Sequence, residues 1–215
     1  MREQGAGSPV LEIRKLGVAY PGQPPLAADW TASIGPGVTL LHGDTGSGKS
    51  TVMRVLAGTQ AARGHLALNG VRLDSNAEAY RRQVFFVDPS TDEFDPLTVH
   101  ACTARLRVDD AGFDAAAWQR LVEGFGLVPH LEKSMYMLST GSKRKVWLAA
   151  ALASSRPLVL LDEPTGALDA ASIRCLWGAL ADFAHLKSPA RAVVVASGER
   201  IDFPSLAATI ELPLR

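Results

Sequence analysis

Long apolar runs are absent: none approaches the roughly 20 consecutive apolar residues that a membrane-spanning helix requires. Cysteine is scarce. Cys102 and Cys175 stand far apart, match no metal-ligand spacing, and read as two buried free thiols in a reducing cytosol. Net charge is absent too, because 22 Lys and Arg balance 22 Asp and Glu. Long-range attraction to nucleic acid or anionic lipid is therefore not indicated. The histidines, His42, His65, His100, His130 and His185, show no ligand spacing and read as surface or core residues. The opening segment MREQGAGSPV lacks the apolar block of a signal peptide, and there is no repeat, low-complexity tract or long linker. The expectation is a chain that stays in the cytosol and reaches a membrane only through a partner.

What is present is a core. Of 215 residues 47% are hydrophobic, enough for one sizeable domain or a domain carrying a small inserted lobe. Residues 10–20 alternate loosely and read as a strand, which Pro21, Gly22, Pro24 and Pro25 turn. Residues 37–42 form a short apolar strand that runs into GDTGSGKS and then a helix over about 49–57, stopped at Gly58. Asn69-Gly70 between apolar runs signals a type I′ hairpin, and residues 83–87 a buried strand. Residues 90–137 are more polar and alanine-rich, with helical spacing at 99–106 and 118–125. They read as a small helical lobe inserted between strands. A helix over about 141–154, the strand PLVLLD, a helix over about 170–186, the strand AVVVAS and a last strand near 209–212 follow. This alternation predicts an α/β fold with a mostly parallel sheet covered on both faces and an antiparallel β edge piece.

Gly43-Asp44-Thr45-Gly46-Ser47-Gly48-Lys49-Ser50 fits the G-x-x-x-x-G-K-[ST] phosphate loop, and it lies between a strand and a helix as that motif requires. Glycines let the loop curl so that backbone N–H groups point inward at phosphate oxygens. The helix that follows, with Ser50 and Thr51 in its first turn, turns its positive end toward the same anion. Lys49 is expected to reach the β- and γ-phosphates of a nucleotide, and the Ser50 hydroxyl to ligate Mg2+. A second half of the site is needed, an acidic residue ending a buried strand, and PLVLLDE supplies it. Asp162 emerges at the carboxyl end, where open α/β sheets bind ligands, and is expected to hold the magnesium through water. Glu163 follows as general base toward the attacking water.

These residues, taken in order with Leu138-Ser139-Thr140-Gly141-Ser142 and Gly166-Ala167-Leu168-Asp169, resemble the ATP-binding subunits of ABC transporters over roughly residues 10–213. The resemblance implies a P-loop NTPase fold in a single domain, with a core of about 10–89 and 138–213 and a helical subdomain of about 90–137. It implies two ATPase subunits packed head to tail around ATP, with Ser139 and Gly141 meeting the γ-phosphate bound on the opposite subunit and Asp169 linking the two sites. Tyr20 falls where the family stacks an aromatic ring on adenine; as a strand residue it reads equally as core. Lys143-Arg144-Lys145 is expected to be structural or near the nucleotide interface. Trp30, Trp118, Trp147 and Trp177 are expected to pack, since no basic stripe accompanies them.

Two family positions are broken. Where a Gln is expected after QVFFV stands Pro89, with Asp88 beside it as either a substitute metal ligand or an exposed turn residue. Where a His is expected after AVVVA stands Gly198, next to Ser197. Losing one transition-state contact typically costs on the order of a hundred- to a thousandfold in rate, so slow hydrolysis is expected. The resemblance also implies an integral-membrane permease as partner, placing the protein in the cytoplasm on the inner face of the membrane, with no nucleic acid expected. A degenerate nucleotide-binding regulator and a soluble ABC-type ATPase are the alternatives.

Overall fold

The computed structural model describes residues 9–19, 25–185, 191–201 and 203–214. In chain order it contains β1 (Leu11–Val18), β2 (Ala27–Ile34), β3 (Gly37–His42), α1 (Lys49–Leu56), β4 (Arg63–Leu68), β5 (Val71–Arg72), α2 (Ala77–Arg82) and β6 (Val84–Phe86). After these come α3 (Val99–Leu106), α4 (Ala115–Gly124), α5 (Thr140–Ala153), β7 (Leu158–Asp162), α6 (Ala170–His185), β8 (Ala192–Ser197) and β9 (Leu206–Glu211).

The strands form two sheets. One is parallel, in the order β6-β7-β8-β3-β9; the other is antiparallel, in the order β2-β1-β4-β5. Side-chain alternation along the parallel strands divides the apolar residues into two cores. Val38, Val159, Leu161, Val193 and Val195 face α5, α6 and the helices between β6 and α5. Leu41, Leu158, Leu160, Val194 and Ala196 face α1 and the antiparallel sheet. Burial on both faces explains why LVLLD and AVVVAS are continuous apolar runs.

The antiparallel portion is larger than an edge piece: it is a separate four-stranded sheet. Its strand β2 carries no period-two signal, because only Ala27, Trp30 and Ile34 turn inward. The pairing with β1 is irregular between Ile13 and Val18, and Lys15 and Asp29 have φ values of 50° and 54°. Such bulges shift which face each residue occupies. The hairpin closing this sheet does follow its turn chemistry, with Asn69 at φ 47° and Gly70 at φ 79°.

Short α2 has one buried side chain, Tyr80, whose hydroxyl donates to Leu56 O at 2.8 Å and so satisfies a carbonyl at the end of α1. Between β6 and α5 the chain builds α3, α4 and two 3-10 turns, capped at Thr98 and Asp114 by side-chain oxygens that accept from Ala101 N and Ala117 N. Each such cap is worth about 1 kcal/mol. The far end of this segment is tied to the sheet by a buried polar cluster. Asp110 accepts from Ser154 Oγ at 2.7 Å and from Ser155. Arg156 donates to Leu106 O, Val108 O and Val84 O.

Register brings the functional ends together. His42 pairs with Ser197 and Asp162 with Ala196, so the carboxyl ends of β3, β7 and β8 open on one edge of the parallel sheet.

Candidate functional site

The loop over residues 43–50 leaves β3 and enters α1 at that edge. Gly46 and Gly48 adopt φ values of 81° and 95°, the left-handed region that glycine enters freely. A Cβ on Gly48 would also stand 2.5 Å from Leu26 Cδ1, so any side chain there would have to displace Leu26. Asp44, Thr45 and Gly46 are exposed along the rim; Ser47 and Ser50 are half-buried, and Lys49 and Thr51 are buried. Lys49 Nζ donates to Gly43 O at 2.7 Å and to Asp44 O at 3.0 Å and lies 3.2 Å from Glu163 Oε1. A lysine turned back on its own loop is a cation held ready for an anion in the cradle.

Asp162 ends β7 and is buried. Burial pushes its carboxyl up, the Ser50 hydroxyl bonded to it pulls the other way, and the charges of Glu163 and Asp88 add to the upward push. Its Oδ1 is buried without a hydrogen-bond partner, and so is Ser47 Oγ. A buried carboxylate oxygen left bare is costly unless something fills it. The donor set here, a serine hydroxyl and a carboxylate oxygen, is the hard-oxygen kind that a divalent cation such as Mg2+ accepts.

Glu163 stands at φ 45°, a conformation that costs a side-chain-bearing residue about 1–2 kcal/mol. The turn is fixed by Glu163 N to Ala196 O at 2.9 Å and Gly166 N to Glu163 O at 3.1 Å. Its Oε1 accepts from Gly198 N–H at 3.0 Å. The sequence did not point to Gly198 as a donor, because only a backbone amide is used. A Cβ at Gly198 would lie 3.7 Å from each of Glu163 Oε1, Gly43 O and Lys49 Nζ, so the position looks into the centre of the site. Ser197 is buried and its Oγ accepts from Glu199 N–H; no hydrogen bond between its hydroxyl and Glu163 occurs among the described residues.

Lys49, Ser50, Glu163, Ser197 and Gly198 share an open cleft of about 1320 Å³, bordered also by Leu26, Ile173, Trp177 and Phe203, while Asp162 borders a smaller hollow of its own. Trp177 and Phe203 are in ring contact at 5.9 Å. Ser139, Gly141 and Asp169 are not brought to this cleft within the chain. Ser139 caps α5, its Oγ accepting from Ser142 N at 3.1 Å. Gly141 is packed so tightly on Ala167 O that a Cβ would overlap it. Asp169 accepts from Ser172 N at 2.8 Å, as an N-cap does, and pairs with Lys145 at 2.6 Å; these bonds hold its carboxyl well below the usual range. Tyr20 lies outside the described residues.

Asp88 is not an exposed turn residue. It is half-buried and pairs with Arg54 on α1, Nε to Oδ2 at 2.6 Å, while its Oδ1 accepts from Ser90 N and Oγ. Beside it, Pro89 borders a hollow with Asp162, Pro164 and Arg144. The basic run is fully engaged: Lys143 bonds Asp95, Arg144 bonds Gly166 O and Lys145 bonds Asp169.

The sequence profile of the ABC transporter family matches residues 29–166. The chain belongs to the ABC transporter ATP-binding family. It is similar to the nickel import ATP-binding protein NikO of Rhodobacter capsulatus, at 34% identity over 88% of this chain and 80% of that one. It is also similar to the cytochrome c biogenesis ATP-binding export protein CcmA of Rhodospirillum rubrum, at 33% identity over 93% and 82%. Against the putrescine transport ATP-binding protein PotG of Escherichia coli the identity is 38%, but the chain spans 44% of that relative's length. A solved ATP-binding subunit of an ABC transporter superimposes with a TM-score of 0.73 at 26% identity, covering 87% of this chain and 79% of that one. As an ABC ATP-binding subunit, the chain carries its P-loop and its Asp162-Glu163 pair on one edge of the parallel sheet. None of its described helices is long and apolar enough to cross a membrane.

Proposed function

We propose that this ABC subunit binds and slowly hydrolyses Mg-ATP and passes the resulting opening and closing to a separate integral-membrane permease, working on the cytoplasmic face. The observation that carries the reading is the bare, buried Asp162 Oδ1 beside Ser50, across from Lys49 and Glu163.

In this reading the loop N–H groups and Lys49 hold the β- and γ-phosphates, and Ser50 and Asp162 hold the magnesium. The cation, when bound, neutralises charge on the phosphate oxygens. Glu163 orients water and accepts its proton, with Gly198 N–H steering the carboxylate. Ser139, Gly141 and Asp169 face a second ATPase subunit packed head to tail, which accounts for their distance from the chain's own cleft. ATP favours the closed pair because it is held from both sides there, and closure is the population shift that follows.

Slow turnover follows from the two departures. Pro89 offers no side-chain hydrogen bond, and Gly198 aims nothing but an amide at the centre. The same two residues favour a second reading, a nucleotide-binding regulator in which occupancy rather than turnover is the signal. Calorimetry with Mg-ATP on the natural chain and on Lys49→Ala tests the site: equal heats in both would remove the proposal. Mild-detergent extraction from membranes tests the partner, since a multi-span protein should accompany the subunit. Measurable phosphate release separates the ATPase from the regulator.

A further inference from the structure

Arg144 is the middle of three basic residues in the first turns of α5, and its side chain crosses to the turn that follows Glu163. The guanidinium donates through Nη1 to Gly166 O. It also fills the space where a Cβ on Gly166 would lie, so arginine and glycine at these two positions fit as a pair. The turn they secure begins at the left-handed Glu163 and is closed by the bond from Gly166 N to Glu163 O. Among the described residues Arg144 is the one cationic group bordering the hollow between Pro89 and Asp162, where a glutamine is expected by resemblance. Asp162 and Glu163 attract the guanidinium, against the opposing effect of burial.

We propose that Arg144 is a positioning residue: by clamping Gly166 O it locks the strained turn and keeps the Glu163 carboxylate aimed at Lys49 and Gly198, joining the start of α5 to the base within one subunit. This rests on the reading of Glu163 as general base. Arg144 acts on the reaction through Glu163, not by touching nucleotide, and it does not line the phosphate cleft. Nor is it what holds α5 in place. That helix is anchored by buried Val146, Leu148, Ala149, Ala150 and Ala151 and by the ion pair between Lys145 and Asp169. A left-handed turn without its clamp has a lower-strain alternative to relax into, and a base displaced by about 1 Å loses up to roughly a hundredfold in rate.

The test is steady-state ATPase kinetics with thermal melting on Arg144→Ala, Arg144→Lys, Gly166→Ala and the double variant. Arg144→Ala should lower kcat at least about tenfold with KM for ATP within about twofold, and with the melting temperature little changed. Arg144→Lys should recover part of the loss. Gly166→Ala, whose new methyl overlaps Arg144 Nη1, should reproduce the defect. Because Arg144→Ala removes that overlap, the double variant should be no worse than Arg144→Ala alone. Unchanged kcat in Arg144→Ala, additive losses in the double variant, or KM and melting temperature moving together with kcat would overturn the proposal in favour of a structural role. Absence of turnover in the unaltered protein would overturn the reading of Glu163 first, and this inference with it.

Discussion

Lys49 Nζ stands 3.2 Å from Glu163 Oε1, so the P-loop cation and the acidic residue after β7 already share one electrostatic environment. The pair separates binding from chemistry. Lys49→Ala should remove nucleotide affinity, read as lost calorimetric heat. Glu163→Gln should keep affinity while cutting phosphate release on the order of a hundred- to ten-thousandfold. Equal turnover in Glu163→Gln and the natural chain would show that Glu163 is not the base.

Gly198 leaves room that a side chain can use. Its virtual Cβ is 3.7 Å from the nearest atoms, which is ordinary contact distance. Gly198→His should therefore fold and raise kcat by about tenfold or more, by supplying a donor where charge develops. Fast turnover in the natural chain, unmoved by the substitution, would dispose of the slow-hydrolysis reading.

Acid should reveal the link between Arg54 and Asp88. The Arg54 guanidinium, helped by Ser90, holds the Asp88 carboxyl down to about 2 from an ordinary 3.8. A carboxyl lowered by folding stabilises the fold above its unfolded value and gives that stability up as pH falls through the folded value. The contribution is thus complete above about pH 4 and gone near pH 2. Asp88→Asn should melt earlier than the natural protein at pH 7, and the two should converge in that acid window. Parallel melting curves down to pH 2 would contradict the assignment.

The thiols should differ in reactivity. Burial pushes the Cys102 thiol up to about 12, and Cys175, half-buried, is also raised. At pH 8 Cys102 would therefore stay in the unreactive thiol form. A thiol reagent should leave Cys102 unmodified until the protein is unfolded, and rapid modification of Cys102 in the native state would refute its burial.

Legibility in the sequence followed physical cause. The P-loop, β7 and β8 were readable because each is specified locally: by glycine conformations at Gly46 and Gly48, and by continuous apolar runs buried on both faces. The strand β2 was not, because bulges near Lys15 and Asp29 erase its alternation. Helix α2 was not, because Tyr80 is its lone buried side chain. In the site, residue types announced Lys49, Ser50, Asp162 and Glu163. The amide of Gly198, the packing of Leu26 on Gly48 and the reach of Arg144 to Gly166 depend on chain segments meeting in space, and no local pattern encodes such meetings.

The cluster of Asp110, Ser154, Ser155 and Arg156 sets a mechanical condition on the helices between β6 and α5. It ties the residues after α3 to the connection between α5 and β7, and the buried bond from Ser154 Oγ to Asp110 would be expensive to strand without a partner. The other end is held as well: Val99 N donates to Lys133 O and Met135 N to Leu97 O, and Asp95 bonds Lys143 on α5. These helices are thus fastened at both ends to α5 and the residues that follow it, so a displacement of α5 should carry them along.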